Sequence, residues 1–173
     1  MSKVFVSWSG GKESSLAFHK HKLDGVTPAY LLNMTSEDGV RSRTHGVSNA
    51  VLSLQAEAMG VPLIQRRTSW ADYEESFKEA VFELKEKGVE AGVFGDIDLE
   101  GHKSWVERVA RETGIRAHLP LWGGDQKEIL KDFVGSGFEA IVVAVKAETM
   151  GKGWLGRRID AEFLEDVSAR DDI

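Results

Sequence analysis

Apolar residues fall into short runs and helical stripes that alternate along the chain. Val4, Phe5 and Val6 make a run suited to a buried strand. After Ser9-Gly10-Gly11 a helix is expected, with Leu16, Ala17 and Phe18 on one side and His19, Lys20 and His21 on the other. Asp24-Gly25 stops it. Thr27 to Asn33 reads as a second strand, and Met34 to Gly46 is a polar connection of the length at which loops tend to be functional. Val47, Val51, Leu54 and Ala58 recur at helical spacing up to the stop at Gly60, and Val61 to Arg66 gives a third strand. Tyr73 to Lys87 is an amphipathic helix with Phe77, Ala80, Val81 and Leu84 on its apolar face. Ala91 to Gly95 is the fourth strand, Gly101 to Thr113 a helix with Trp105, Val106 and Val109 inward, and Arg116 to Leu119 the fifth strand. Gln126 to Val134 is a helix, and Ala140 to Val145 is the sixth and most β-rich strand. Lys146 to Gly156 is a Gly-punctuated loop, and Asp160 to Ala169 a terminal helix.

This alternation predicts an α/β fold, an open and mostly parallel sheet of five to six strands with helices on both faces. The 173 residues are expected to form one domain over 1–173, with 146–173 as loop plus terminal helix. No apolar run approaches the roughly 18 residues of a membrane span. No signal peptide precedes the first strand, so a cytoplasmic location is expected. The absence of Cys removes disulfides, thiolate metal sites and a cysteine nucleophile or persulfide. A net charge of -6, with no segment that concentrates Lys and Arg, argues against DNA or RNA as a partner. His19 and His21, two apart on a helix, face different ways and suggest no zinc site.

The candidate chemistry lies where the first strand meets the first helix. Small residues from Ser9 to Ser14 let backbone come close to a ligand, and the free N–H groups of a helix start favour an anion there. A Walker A loop is excluded, because position 6 is Val and position 13 is Glu. Ser9-Gly10-Gly11-Lys12-Glu13-Ser14 is similar instead to the S-G-G-[Kx]-[DE]-S signature of the PP-loop enzymes, the N-type ATP pyrophosphatases. A plain strand-to-helix turn is the alternative.

Beyond the loop, the chain resembles the ATP-binding domain of the diphthine-ammonia ligase family. The likeness is carried by Ser9 to Ser14, Thr44-His45-Gly46, Gln55 to Leu63, Gly95-Asp96-Ile97 with Trp105-Val106-Glu107, Pro120-Leu121-Trp122, and Trp154-Leu155-Gly156-Arg157 before Ile159-Asp160. The resemblance implies an adenine nucleotide α-hydrolase-like (HUP, Rossmann-like) fold with ATP at the carboxyl edge of the sheet. It also implies the partners, namely ATP, ammonia and elongation factor 2, and the reaction. The diphthine carboxylate is adenylated, pyrophosphate leaves, and ammonia displaces AMP to give an amide. Longer members carry a Gly-Glu-(Gly/Asn)-Gly-Glu motif beyond the terminal helix. This chain ends at Ile173 without it, as a trimmed domain or a shorter branch would.

Adenylation needs a seat for pyrophosphate, cations near the α-phosphate and an acceptor held in line. Ser9, Gly10, Gly11, Lys12, Glu13 and Ser14 are expected to seat the nucleotide, with Gly95, His45 and Trp122 as further contacts. Lys12, Asp96, Glu107 and Arg157 are the expected catalytic residues, and Asp96 with Glu13 would hold Mg²⁺. Each has a plainer reading: Lys12 and Arg157 as solvated cations, Glu13 as a first-turn acid, Asp96 as a helix cap, His45 and Glu107 in water, Trp122 in the core. A nucleotide-binding module without chemistry, and a PP-loop enzyme acting on another small carboxylate, stay open as alternatives, as does a homo-oligomer. No membrane partner is expected.

Overall fold

The computed structural model describes residues 2–25, 28–145 and 150–170. The first strand, β1 (Lys3–Ser7), leads into α1 (Lys12–Leu23), β2 (Tyr30–Thr35), α2 (Asn49–Met59), β3 (Leu63–Arg67) and α3 (Tyr73–Glu86). Then follow β4 (Val89–Val93), α4 (Glu100–Thr113), β5 (Arg116–His118), α5 (Gln126–Gly135), a 3₁₀ turn (Lys152–Trp154) and α6 (Ala161–Ser168). The strands form one parallel sheet in the order β3-β2-β1-β4-β5. The chain walks outward from β1 to β3, then returns to the other side of β1. The order therefore reverses beside β1, where open α/β sheets present their ligand crevice. Crossovers that leave β1 in opposite directions put helices on both faces, as expected.

Alternation along β1 divides the core. Phe5 points to the face covered by α3 and α4, in a cluster with Leu32, Met34, Phe77, Val81, Leu84, Phe94, Val106 and Val109. Phe5 meets Phe77 and Phe94 edge-on, with ring centroids 6.2 and 5.9 Å apart. On the other side of the sheet Trp8 packs edge-on against Phe18 of α1 at 6.2 Å.

Four expectations change. The sheet has five strands, because the Ala140 to Val145 run makes only an isolated bridge between Ile141 and Arg158. Ile141 and Val143 remain exposed while Val142 packs inward, so β propensity in this run meets no neighbouring strand that would extend it. The second strand starts at Tyr30; residues 26 and 27, and 146–149 of the late loop, lie outside the described residues. In α2 the buried residues are Leu52 and Ala56, whereas Val51 and Leu54 of the expected stripe face solvent. In α1, His21 is buried and does not join the polar side.

The expectation of one domain over 1–173 is set against a chain that divides into two compact units, Met1–Trp122 and Gly123–Ile173. The first contains the whole sheet. In the second, Leu130 of α5 and Phe163 and Val167 of α6 form a small core joined by Val142, Trp154 and Ile159. Among the described residues no helix is long and apolar enough to cross a membrane.

Candidate functional site

β1 ends at Ser7 and α1 starts at Lys12, so Ser9 to Gly11 turn at the carboxyl end of the central strand. Glycine is required at the crown. Gly10 has a φ of +76°, and a Cβ on it would come within 2.5 Å of Leu52 Cδ2 and 2.9 Å of Gln55 Oε1. A Cβ on Gly11 would stand 2.9 Å from Nε2 of His45, which places that imidazole against the loop. Gly95, just past β4, lies so close to α1 that a Cβ would sit 2.9 Å from the backbone carbon of Glu13 and 3.0 Å from the Ser14 nitrogen. Residues distant in sequence, His45 and Gly95, thus meet the Ser9 to Ser14 loop.

The N-cap of α1 is Gly11, which supplies no capping side chain; the Ser15 amide donates to the Gly11 carbonyl at 3.1 Å. The Lys12, Glu13 and Ser14 amides precede that bond and have no acceptor within the helix, so the first turn offers N–H groups and the positive end of its dipole. The hydroxyls knit the loop to itself. Ser9 Oγ accepts from the Gly11 amide at 3.3 Å and lies 3.2 Å from Ser14 Oγ, and Ser14 donates to the Gly11 carbonyl at 3.0 Å. Ser14 is buried, so it braces the turn from beneath.

The charged candidates already have protein partners. Lys12 Nζ is ion-paired with its neighbour Glu13, both side chains partly exposed. Asp96 accepts from, or pairs with, His102 Nδ1 at 3.2 Å, and it adds to the burial that raises the Tyr73 phenol above its ordinary range. Glu107 is exposed on α4, 4.0 Å from Lys103 Nζ, and the Lys103 ammonium lies 4.8 Å from the centroid of the Trp122 ring. Arg157 belongs to the second unit. There its guanidinium pairs with Asp166 at 2.7 Å and lies over Trp154 and Phe163, at 4.6 and 5.5 Å from the ring centroids. That arrangement ties α6 to the loop before it. Among the described residues no group of three or more His, Asp or Glu side chains is placed to hold a metal ion.

The sequence marks Gln55 only as the start of a segment of the resemblance and assigns no role to it or to His102. Gln55 Nε2 donates to the Gly10 carbonyl at 3.3 Å, and its Oε1 accepts from the Trp8 indole at 3.1 Å. His102 stands on the first turn of α4, against Asp96 at the exit of β4. A strand followed by Asp and, six residues on, a His in a helix start is a weak signal. The Gln55 contact depends on the rotational phase of α2, which periodicity misassigns.

Sheet order and loop define an α/β protein with a Rossmann-like fold of the nucleotide-binding kind. Residues 2–117 match the diphthamide synthase N-terminal domain, and residues 125–172 match the diphthamide synthase C-terminal domain. The chain belongs to the diphthamide synthase family. It is 27% identical over 176 residues to a diphthine–ammonia ligase of Schizosaccharomyces pombe, covering 91% of this chain and 29% of that protein. It is also 27% identical over 166 residues to one of Rattus norvegicus, covering 84% of this chain and 62% of the relative. It thus spans less than two thirds of either. Among solved structures, a predicted subunit of tRNA methyltransferase from Methanocaldococcus jannaschii superposes with a TM-score of 0.54 at 17% identity, covering 84% of this chain and 81% of that one. At that identity the likeness concerns the fold.

Proposed function

We propose that this chain binds ATP at the Ser9 to Ser14 loop and uses it to adenylate a carboxylate, which an amine then converts to an amide. Diphthine on elongation factor 2 is the acceptor and ammonia the amine by resemblance and by the names of the relatives. The observation that carries the reading is the loop itself, where Gly10 turns the chain with a left-handed φ, Gly95 packs against the backbone of Glu13 and Ser14, and the first-turn amides of α1 stand without a side-chain cap. Backbone N–H groups so gathered suit the oxygens of a departing pyrophosphate.

In this reaction an acceptor carboxylate oxygen attacks the α-phosphorus, and the bond to the bridging oxygen breaks to release pyrophosphate. The amine nitrogen then attacks the acyl carbon, the bond to AMP breaks, and the nitrogen gives up a proton to solvent. Lys12 exchanges Glu13 for phosphate oxygens, and His45 stands against Gly11 within reach of the same anion. Glu13 and Asp96 are the carboxylates that would hold Mg²⁺, which neutralises the triphosphate. Arg157 and Glu107 are assigned no step in this proposal.

Incubation with ATP, Mg²⁺, ammonium and diphthine-bearing elongation factor 2 tests the proposal. AMP and pyrophosphate in equal amounts are expected, with loss of both in Lys12→Ala combined with Asp96→Ala. ADP and phosphate without AMP would overturn it. ATP binding with no turnover on any carboxylate would identify a nucleotide-binding module instead.

A further inference from the structure

Gln55 is the side chain that joins α2 to the crown of the loop, and its two hydrogen bonds have one consistent assignment. The Trp8 indole N–H is only a donor and a carbonyl is only an acceptor, so Oε1 must face Trp8 and Nε2 must face Gly10. Trp8 itself is fixed. It is buried, its amide donates to the Leu32 carbonyl at 2.8 Å, and its carbonyl accepts from Asn33 Nδ2 at 2.7 Å. The amide of Gln55 therefore hangs from an immobile indole and presents its N–H to one peptide oxygen of the loop.

That contact decides which way a peptide plane faces. In a trans peptide C=O and N–H point in opposite directions, so drawing the Gly10 oxygen towards α2 aims the Gly11 N–H away from it, where Ser9 Oγ accepts. Gly10, with its left-handed φ and no side chain, is the residue around which this plane turns most freely. The reversed plane would put a carbonyl oxygen beside Ser9 Oγ in place of this N–H and so bring negative charge to the proposed anion seat.

We infer that Gln55 is a positioning residue that holds the Gly10–Gly11 peptide in the anion-accepting orientation, acting through the loop and without touching the nucleotide. The inference rests on the proposed seat of ATP, and its test keeps the two apart. Binding of ATP is measured for the full chain and for Gln55→Leu, Gln55→Glu and Trp8→Phe, each checked for an unchanged circular dichroism spectrum. Gln55→Leu and Gln55→Glu are expected to weaken ATP about tenfold to a hundredfold at neutral pH. Trp8→Phe should weaken it less, and Trp8→Phe with Gln55→Leu no more than Gln55→Leu alone. A protonated carboxyl, like the amide, offers both a donor and an acceptor. The affinity of Gln55→Glu relative to the unsubstituted chain should therefore recover as pH is lowered from about 8 towards about 5, while Gln55→Leu shows no recovery. A general packing role would not produce that recovery. Gln55→Glu and Gln55→Leu binding within twofold of the unsubstituted chain, or a Gln55→Glu deficit that does not change with pH, would overturn the inference and leave the ATP site standing. Failure of the unsubstituted chain to bind ATP would overturn both.

Discussion

At the scale of single residues, two positions carry consequences that reach beyond their neighbours. Gly95 is held against α1 by backbone atoms of Glu13 and Ser14, which cannot rotate away as a flexible side chain could. Gly95→Ala should therefore displace the first turn of α1, lowering ATP affinity at least tenfold and stability by about 1–3 kcal/mol. Isothermal titration and a urea transition check the two effects. His21 is the second. Its Nε2 is buried with no hydrogen-bond partner among the described residues, and the His118 ring stands 5.4 Å away. Burial lowers its pKa below 6.5, His118 adds to the lowering, and Asp24 opposes it. The unfolded chain then binds a proton more readily than the folded one. The neutral imidazole's contribution is complete above pH 6.5 and is lost as pH falls through the lower folded value. Urea midpoints for the unsubstituted chain and for His21→Phe should diverge in slope below about pH 6.5, with the shallower acid-side fall in His21→Phe.

At the scale of elements, α3 and α2 show what a sequence exposes and what it conceals. The stripe Phe77, Ala80, Val81 and Leu84 is legible because the rest of α3 is charged, and all four residues are buried. In α2 the apolar residues Ala50, Val51, Leu52, Leu54, Ala56, Ala58 and Met59 run round the helix, so periodicity admits more than one face. Packing against Gly10 chooses Leu52 and with it Gln55, a long-range contact that no local pattern contains. The loop was legible for the opposite reason, since glycines and a helix start lie within one short segment. α3 is also bound to α4 by polar contacts. Glu74 takes two hydrogen bonds of 2.6 Å from Arg108 and one of 2.9 Å from Trp105, and Arg108 with Lys78 holds its carboxyl well below the usual carboxylate range. Phe77 fills the space beneath, between Phe5, Phe94 and Trp105. Phe77→Ala leaves a cavity that its four ring neighbours, Tyr73 included, cannot close, and a loss of about 3–5 kcal/mol in unfolding free energy is expected from urea titration.

At the scale of the whole molecule, the division at Trp122 bears on where nucleotide binding resides. Among the described residues every strand lies within 3–118, and the main core cluster is drawn from Phe5 to Ile115. The groups that shape the loop, Trp8, His45, Gln55 and Gly95, belong to the same unit as the loop itself. Folding of that unit needs β1 to find β4 across more than 80 residues of chain, a contact formed wholly inside it. Residues 1–122 expressed alone should then unfold in one cooperative transition and bind ATP within about fivefold of the full chain, since no group assigned to the phosphate seat is removed. Acceptor turnover is a separate matter, because the second small core is absent from that fragment. A fragment that melts cooperatively yet has lost ATP would place an essential nucleotide contact in residues 123–173, and the nucleotide site would then have to be redrawn to include the second unit.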